Sequence, residues 1–387
     1  MSIKTAAIIG AGMAGLTAGL SLARHGIRCD ILEQAPQLGE VGAGLQISPN
    51  ASRILDELGV LVEIESHWLE PEEIRLVSGS SLKRLAAVPA GTFARERWGA
   101  PYGVLHRSTL QQALLAAVLH NPLCRLHLGC RVETADRATA EHLTGTCPDL
   151  IIGADGAWSN TRSEIDGSPK VAFSGNVAWR FTIPRKDAPA FLDARNVTAY
   201  LGPRTHMVCY PLKEIDGFNI VAIAAGISPG ESWYTEGSEA QKALLLRQFH
   251  DWNEAILDVL RSATKANYWP LYQAGPGCWQ NGRGTVLIGD AAHAMMPFAA
   301  QGAAMAIEDA FELAGLVATH PLPQALGAYE TQRKERAARV RDRGAFNKFA
   351  YHARGPVRLG RDIVLALRSP QSLASDLDWL YGYRAKG

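Results

Sequence analysis

The first 33 residues carry the pattern that most constrains the fold of this chain. Residues 6–9 form an apolar run typical of a buried parallel strand, and Gly10-Ala11-Gly12-Met13-Ala14-Gly15 follows at once. A helical stretch then runs to His25, and residues 28–32 read as a second strand that ends in Glu33. Strand, glycine-rich turn, helix and second strand together predict a βαβ unit that binds a dinucleotide.

Each part of this unit has a physical task. Gly10 permits the tight turn, Gly12 lets the backbone approach a pyrophosphate, and Gly15 lets the helix pack closely on the strand. The helix N-terminus offers free N–H groups and a positive dipole end to the phosphates. Glu33 stands 23 residues after Gly10 and can accept hydrogen bonds from a ribose. The unit alone does not distinguish NAD from FAD.

Composition narrows the class of protein. With 39 basic and 38 acidic residues the net charge is +1, which argues against a nucleic acid or an anionic membrane as the main partner. No apolar run approaches the ~18 to 20 residues that span a bilayer. None of the six cysteines stands in a C-x-x-C pair, so we expect no metal site and no redox dithiol. The apolar N-terminus is the first strand of the nucleotide unit and not a signal peptide, so we expect a cytoplasmic protein.

Two later segments indicate that the dinucleotide is FAD. An apolar strand pattern over residues 149–152 runs into Gly153-Ala154-Asp155-Gly156, a turn where a carboxylate can meet a polar cofactor. A second strand pattern over residues 285–288 ends in Gly289-Asp290, which places Asp290 to bind the hydroxyls of a ribityl chain. A helical run begins at Gly302, and its N-terminus can stabilise negative charge on a reduced flavin ring.

With these segments in this order, the chain resembles the class A flavoprotein aromatic hydroxylases, which have the para-hydroxybenzoate hydroxylase fold. It is most similar to the branch of salicylate hydroxylase, 3-hydroxybenzoate 6-hydroxylase and 6-hydroxynicotinate 3-monooxygenase. The similarity extends over nearly the whole chain. Beyond the three segments it includes Gln34, Gly42-Ala43-Gly44-Leu45-Gln46, Pro49-Asn50, His106-Arg107, Glu308-Asp309-Ala310 and Trp379-Leu380-Tyr381-Gly382-Tyr383.

The resemblance implies an α/β fold with a discontinuous FAD-binding domain built on a parallel sheet. This domain would comprise residues 1–75, 100–167 and 280–345. A substrate domain with a mixed β-sheet would comprise residues 76–99 and 168–279, and residues 346–387 would form a C-terminal helical segment. The residues that would contact a non-covalent FAD are Gly10, Gly12, Ala14, Gly15, Glu33, Gln34, Gly44, Leu45, Arg107, Asp155, Asp290, Gly302 and Ala303.

Some positions depart from the family pattern or have a second interpretation. Gln46 stands where the hydroxynicotinate branch tends to carry His, which weakens that substrate assignment. Residues 131–146 are few for the family and predict a trimmed hairpin. Ser108 and Gln111 have the spacing of a capping box and predict a helix start beside Arg107, for which a solvated surface arginine is the alternative.

On the substrate side, strands are predicted over residues 171–183, 197–201, 206–212 and 218–225, and helical residues over 239–262. His206, Val208 and Tyr210 would share one face of a strand because side chains alternate. His206 can withdraw the proton of a phenol, and the Tyr210 hydroxyl can bind an oxygen of an aromatic acid. A histidine and a tyrosine in the core, satisfied by backbone groups, would leave the same pattern. The resemblance adds Pro297 and Gln301 to the substrate residues.

The resemblance also implies the activity: a single-component monooxygenase that consumes NADH or NADPH and hydroxylates a small aromatic hydroxy acid with O2 through a flavin C4a-hydroperoxide. Nicotinamide would bind transiently, since no second glycine-rich nucleotide unit is present. Arg75, Arg180 and Arg204 are candidate partners for the carboxylate. The oligomeric state stays open, with a homodimer as one option.

Two alternatives remain at this point. Trp179-Arg180-Phe181-Thr182-Ile183-Pro184 is one residue away from the Trp-x-Trp-x-Ile-Pro pattern of flavin-dependent halogenases. A non-catalytic binding protein that reuses the FAD fold is the other.

Overall fold

The computed structural model describes residues 3–39, 44–227, 235–263 and 266–387. Its strands are β1 (Thr5–Ile9), β2 (Arg28–Glu33), β3 (Gly44–Ile47), β4 (Glu73–Ser78), β5 (Arg84–Pro89), β6 (Gly103–His106), β7 (Cys124–Leu128), β8 (Leu150–Gly153), β9 (Val171–Pro184), β10 (Val197–Gly202), β11 (Thr205–Leu212), β12 (Gly217–Ala225), β13 (Thr235–Glu236), β14 (Asn267–Ala274) and β15 (Thr285–Leu287).

The helices are α1 (Met13–Ala23), α2 (Pro49–Glu57), α3 (Leu61–Ile64), α4 (Thr92–Trp98), α5 (Arg107–His120), α6 (Arg137–Thr144), α7 (Glu239–Gln248), α8 (Glu254–Ser262), α9 (Asp290–His293), α10 (Gly302–Thr319), α11 (Leu322–Tyr351), α12 (Gly355–Leu367), α13 (Pro370–Ser375) and α14 (Asp378–Tyr381). Within the described ranges, no helix combines the length and the hydropathy of a membrane span.

A five-stranded parallel sheet carries the predicted dinucleotide unit. Its order is β15-β8-β1-β2-β7, and α1 connects β1 to β2. Ile9, Gly153 and Leu287 lie in register on three neighbouring strands. The three cofactor segments therefore meet at the carboxyl edge of one sheet, where ligands of such folds bind. The parallel sheet confirms the predicted α/β class.

The second sheet is mixed and has eight strands in the order β13-β14-β9-β12-β11-β10-β4-β5. The four strands predicted between residues 171 and 225 are confirmed to within one residue at every end. β4 joins this sheet by pairing in parallel with β10, and β4 begins at Glu73. The predicted boundary after Arg75 therefore falls inside a strand, and we place the start of the substrate sheet at Glu73 in the proposed domain division.

The helical residues predicted over 239–262 are confirmed as α7 and α8, and the Asn253 side chain starts α8 by accepting a hydrogen bond from the Ala255 N–H at 3.0 Å. Two local predictions need correction. Residues 131–146 contain α6 in place of a trimmed hairpin, and the Asp136 carboxylate caps this helix. α5 begins at Arg107 with His106 as its cap, so Ser108 and Gln111 form no capping box.

Candidate active site

The glycine turn after β1 is shaped for a phosphate group. Gly10 has φ of +101°, and a Cβ there would stand 2.6 Å from the Ala154 carbonyl oxygen. A Cβ on Gly15 would stand 1.9 Å from the Gly10 carbonyl oxygen, so only glycine permits α1 to pack this closely. A Cβ on Gly12 would meet no described atom within 4 Å, and no side chain caps α1. The turn therefore offers open space and uncapped N–H groups.

Glu33 lies beside this turn. One carboxylate oxygen accepts a hydrogen bond from the Ala11 N–H at 2.8 Å, and the other accepts from the Ala35 N–H at 2.9 Å. Gln34 follows on the surface. The acidic residue predicted for the ribose is thus held at the end of β2, next to the phosphate turn.

The two later carboxylates converge on the same edge. One oxygen of Asp155 accepts two hydrogen bonds from Thr161, both at 3.0 Å, whereas the buried Oδ1 has no partner among the described residues. A buried carboxylate oxygen without a donor is costly, and a hydroxyl or N–H of a cofactor would satisfy it. Asp290 follows Gly289, whose φ of +58° and close approach to Ala14 bring its turn against α1.

The N-terminus of α10 is the third part of the cofactor region. A Cβ on Gly302 would meet no described atom within 4 Å, and no side chain caps this helix of 18 residues. Ala303 follows in its first turn. The positive end of α10 is therefore accessible to a planar, electron-rich group.

The remaining predicted cofactor residues lie on the strand pair β3 and β6. Gly44 pairs with His106, so Gly44 and Leu45 lie beside Arg107 at the start of α5. The Gln111 side chain reaches from α5 to the Ala11 carbonyl oxygen at 3.5 Å. Gly42 and Ala43 lie outside the described residues. The open turns, the unpartnered Asp155 oxygen and the two uncapped helix ends fit FAD.

A cavity of about 510 Å³ lies between the mixed sheet and the C-terminal helices. Its wall is mainly apolar, which suits an aromatic ligand. The sheet and strand side contributes Gln46, Ile74, Leu76, Tyr102, His206 and Val208, the turn before α10 contributes residues 297–300, and the helices contribute Arg343, Phe346, Tyr351, Val364 and Tyr381, among others.

His206 lies on β11 at this wall and is 2% exposed. Its Nδ1 is 2.8 Å from Nε2 of His352, and its ring packs against Phe298 with centroids 5.1 Å apart. Burial, and then the neighbouring His352, lower the pKa of His206 well below its ordinary 6.5. The ring is therefore neutral at pH 7 and has a side-chain partner in place of the backbone partner that the alternative interpretation required.

Tyr210 shares the face of β11 but lies in a different environment. A Cβ on Gly44 would stand 2.5 Å from Cε2 of Tyr210, so the tyrosine packs directly under β3. Burial raises the pKa of its hydroxyl, and the nearby Arg180 opposes that shift. Neither Tyr210 nor Gln301 is among the described cavity-lining residues, whereas His206 and Pro297 are.

Gln301 belongs to a buried polar network. Its amide bonds to Ser48 at 3.0 Å and to Asn50 at 3.1 Å, and Asn50 donates to Glu308 at 2.6 Å. Behind Glu308, the fully buried Arg333 contacts three carboxylates: Glu308 at 2.8 Å, Asp309 at 2.7 Å and Glu312 at 3.3 Å. This network fixes α10 against α11 and α2.

The sequence missed several polar residues of the cavity. The Tyr102 hydroxyl donates to Gln46 at 2.6 Å, and Arg343, Arg361 and Arg368 line the helical side. None of the three arginines proposed for the carboxylate lines the cavity: Arg75 pairs with Glu73 and Asp193, Arg204 is exposed, and Arg180 packs on Trp269. Arg343 gave no signal because it stands in an arginine-rich helix.

The halogenase-like run forms the end of β9. Trp179 is 2% exposed and packs edge-on against Tyr268, with ring centroids 5.3 Å apart. It is part of the interior and does not line the cavity.

Comparisons with known proteins identify the family of this chain. Residues 3–344 match the family model of the FAD binding domain. The chain is 36% identical to 3-hydroxybenzoate 6-hydroxylase 1 of Aquipseudomonas alcaligenes over 97% of this chain and 96% of that protein. It is 35% identical to 3-amino-4-hydroxybenzoate 2-monooxygenase of Streptomyces cremeus over 98% and 95%.

Solved structures share the fold. A salicylate hydroxylase substrate complex superposes with a TM-score of 0.79 at 22% identity, covering 99% of this chain and 96% of that one. Klebsiella pneumoniae HpxO complexed with FAD and uric acid superposes with a TM-score of 0.81 at 20% identity, covering 97% and 95%. The chain therefore belongs to the class A flavoprotein hydroxylases of the FAD-binding-domain family and is an FAD-dependent aromatic-ring monooxygenase.

Proposed function

We propose that the enzyme hydroxylates a monocyclic aromatic acid with a ring hydroxyl, bound in the 510 Å³ cavity with that hydroxyl at His206. The relatives named above act on 3-hydroxybenzoate and 3-amino-4-hydroxybenzoate, which share this pattern. The observation that carries the proposal is a neutral imidazole at the wall of a mainly apolar cavity. When bound, FAD supplies electrons taken from NAD(P)H and the activation of O2.

His206 is the proposed base. Its Nδ1 is engaged by His352, which leaves Nε2 for the ligand. Nε2 can accept the proton of the substrate hydroxyl, because the lowered pKa of His206 leaves the ring neutral at pH 7. The resulting phenolate is electron-rich and is the form of the ring that an oxygen electrophile attacks. Pro297 and Phe298 line the cavity beside His206 and add apolar surface that disfavours water near the bound ring.

Arg343 is the proposed partner of the carboxylate. Of the three cavity-lining arginines, Arg361 pairs with Asp362 and Arg368 pairs with Asp376. Arg343 forms no salt bridge among the described residues, and its buried Nε has no hydrogen-bond partner there. A guanidinium in an apolar cavity can bind a carboxylate through two parallel hydrogen bonds.

Substrate conversion tests the proposal. Purified holoenzyme is incubated with NADH or NADPH and, in separate samples, 3-hydroxybenzoate, salicylate or 3-amino-4-hydroxybenzoate, and the product is analysed by mass spectrometry. At least one acid should gain one oxygen atom with near-equimolar NAD(P)H consumption. Faster conversion of a polycyclic or steroid-sized ligand than of any monocyclic acid would contradict the proposed substrate class.

A further inference from the structure

The partner of His206 lies away from the cavity wall. His352 caps the C-terminus of α11, is half-buried, and is not among the residues that line the cavity. Its Nε2 is 2.8 Å from Nδ1 of His206, and both rings pack against Phe298 with centroids 5.5 and 5.1 Å away. The two imidazoles thus connect a base that is 2% exposed with a partly exposed side chain at the end of α11.

We propose that His352 is a positioning residue that relays the substrate proton from His206 to solvent. This inference rests on the proposed function. It assigns a role to a side chain that no sequence pattern singled out, and it explains how a fully enclosed base can lose the proton that it accepts.

The proton balance fixes the tautomers. Before transfer, Nδ1 of His206 carries a proton and donates it to Nε2 of His352, so Nε2 of His206 is free to accept. The substrate O–H bond breaks and Nε2 of His206 gains the proton. The Nδ1 proton of His206 passes to Nε2 of His352, and the Nδ1 proton of His352 leaves to water. One proton enters the pair and one leaves. Reverse transfer to the product phenolate restores both tautomers.

The surroundings of the pair favour rapid passage over storage of the proton. An imidazolium at His206 would be an unpaired charge in an apolar site, which is costly. His352 is more exposed, and burial together with the nearby cation of Lys348 lowers its pKa to about 4. Lys348 itself is held by Asn176 at 2.9 Å. Tyr351, whose ring lies 5.5 Å from that of His206, completes the packing.

Proton release measures the relay without hydroxylation. Oxidised holoenzyme is mixed with 3-hydroxybenzoate in weak buffer with a pH-indicator dye, in the absence of NAD(P)H. The phenol is neutral at pH 7, since its pKa is about 10. The wild type should release a proton on binding. His352→Gln keeps an oxygen that accepts from Nδ1 of His206 but cannot carry the proton. It should bind with a Kd within about three-fold of wild type, and proton release should slow by about 10- to 100-fold, the scale of a lost proton-transfer group.

Two further variants sharpen the result. His352→Ala should show the same slow release, and added imidazole should restore it, because a merely structural defect would not respond. His320→Gln is the matched control, since His320 also caps the C-terminus of a helix, α10, and is exposed. It should behave as wild type.

Two outcomes overturn the relay: a wild-type enzyme that binds 3-hydroxybenzoate without releasing a proton, or a His352→Gln variant that releases it at the wild-type rate. The proposed function fails separately, in the wild type itself, if no monocyclic acid is hydroxylated under turnover.

Discussion

Asp309 on α10 accepts a hydrogen bond from the backbone N–H of Gly289 at 2.8 Å and from Nε2 of His293 at 2.5 Å. Burial opposes ionisation of this carboxyl, but His293 and Arg333 outweigh it and lower its pKa to about 2. One charged side chain therefore holds the Gly289-Asp290 turn in place and joins it to the buried network around Arg333. Cofactor binding and stability should share this network.

Removing the central cation of this network, Arg333, should lower the free energy of unfolding. Arg333→Leu leaves Glu308, Asp309 and Glu312 without their common partner, and breaking a buried pair from one side typically costs about 3 to 5 kcal/mol. Lys334→Leu is the control, because its pair with Glu330 is solvent-accessible and worth at most about 1 kcal/mol. Urea unfolding of the two holoenzymes measures the difference. Equal losses of stability in the two variants would show that the buried network contributes no more than an ordinary surface ion pair.

The second prediction concerns FAD retention. Asp290→Ala removes a carboxylate that we expect to bind cofactor hydroxyls, at a cost of about 1 to 3 kcal/mol, which raises the Kd for FAD by about 5- to 150-fold. Asp187→Ala, on the exposed surface, is the control. Titration of the apoproteins with FAD gives both values. Wild-type affinity in Asp290→Ala would assign this carboxylate a structural role only.

The third prediction separates His206 from Tyr210. His206→Ala should slow hydroxylation by about 10² to 10⁴-fold, the usual effect of losing a positioned base. FAD should stay bound, and NAD(P)H oxidation should continue with release of peroxide. Tyr210→Phe removes only a hydroxyl that packs under Gly44 and should alter the ratio of product to NAD(P)H far less. An unchanged ratio and turnover in His206→Ala would make His206 a core residue.

Arg343 should recognise the negative charge of the substrate carboxylate. Arg343→Leu should raise the KM for 3-hydroxybenzoate by about 10- to 100-fold, as expected for loss of a charge-assisted pair. It should barely change the KM for the neutral 3-hydroxybenzamide. Arg341→Leu, exposed on the same helix, is the matched control. If both ligands lose affinity equally in Arg343→Leu, the arginine shapes the cavity and does not bind the carboxylate.

The histidine pair should make stability depend on pH. Burial lowers the pKa of His206 well below 6.5 and that of His352 to about 4. Below pH 6.5 the unfolded chain therefore binds more protons at these two histidines than the folded chain does. Stability should therefore fall as the pH falls from 6.5 towards 4, by up to about 1.4 kcal/mol per pH unit for each histidine. Asp309 contributes only below this window. The double variant His206→Asn with His352→Gln should show a shallower slope between pH 7 and pH 5 in urea unfolding. A slope equal to that of wild type would refute this origin.

The sequence was sufficient for the cofactor half of the molecule. Gly10, Gly15 and Asp290 belong to turns whose chemistry is local, so spacing alone predicts where they lie. The strand alternation through His206 also predicted the sheet and the face. A local signal that could have located α6 was present as well, in the capping residue Asp136, and Asn253 marks the start of α8 within the predicted helical residues.

The substrate half depends on contacts between distant segments. His206 and His352 are 146 residues apart, and Arg343 stands among many arginines of one long helix. No periodicity shows which of them faces a cavity that forms only when α11 and α12 pack on the sheet. Tyr210 shares a strand face with His206, but β3 covers Tyr210, whereas His206 lines the cavity. Shared direction on a strand does not imply a shared site.

The most direct test of the central claim is the fate of oxygen in a single reaction. Holoenzyme, NADH or NADPH and a monocyclic hydroxy acid such as 3-hydroxybenzoate are incubated under isotopically labelled dioxygen, and product and reduced cofactor consumed are measured together. We predict one labelled oxygen in the ring and a product yield close to the NAD(P)H consumed in wild type, with peroxide replacing product in His206→Ala. Reduced cofactor oxidised with no labelled aromatic product from any of the monocyclic acids would contradict the account.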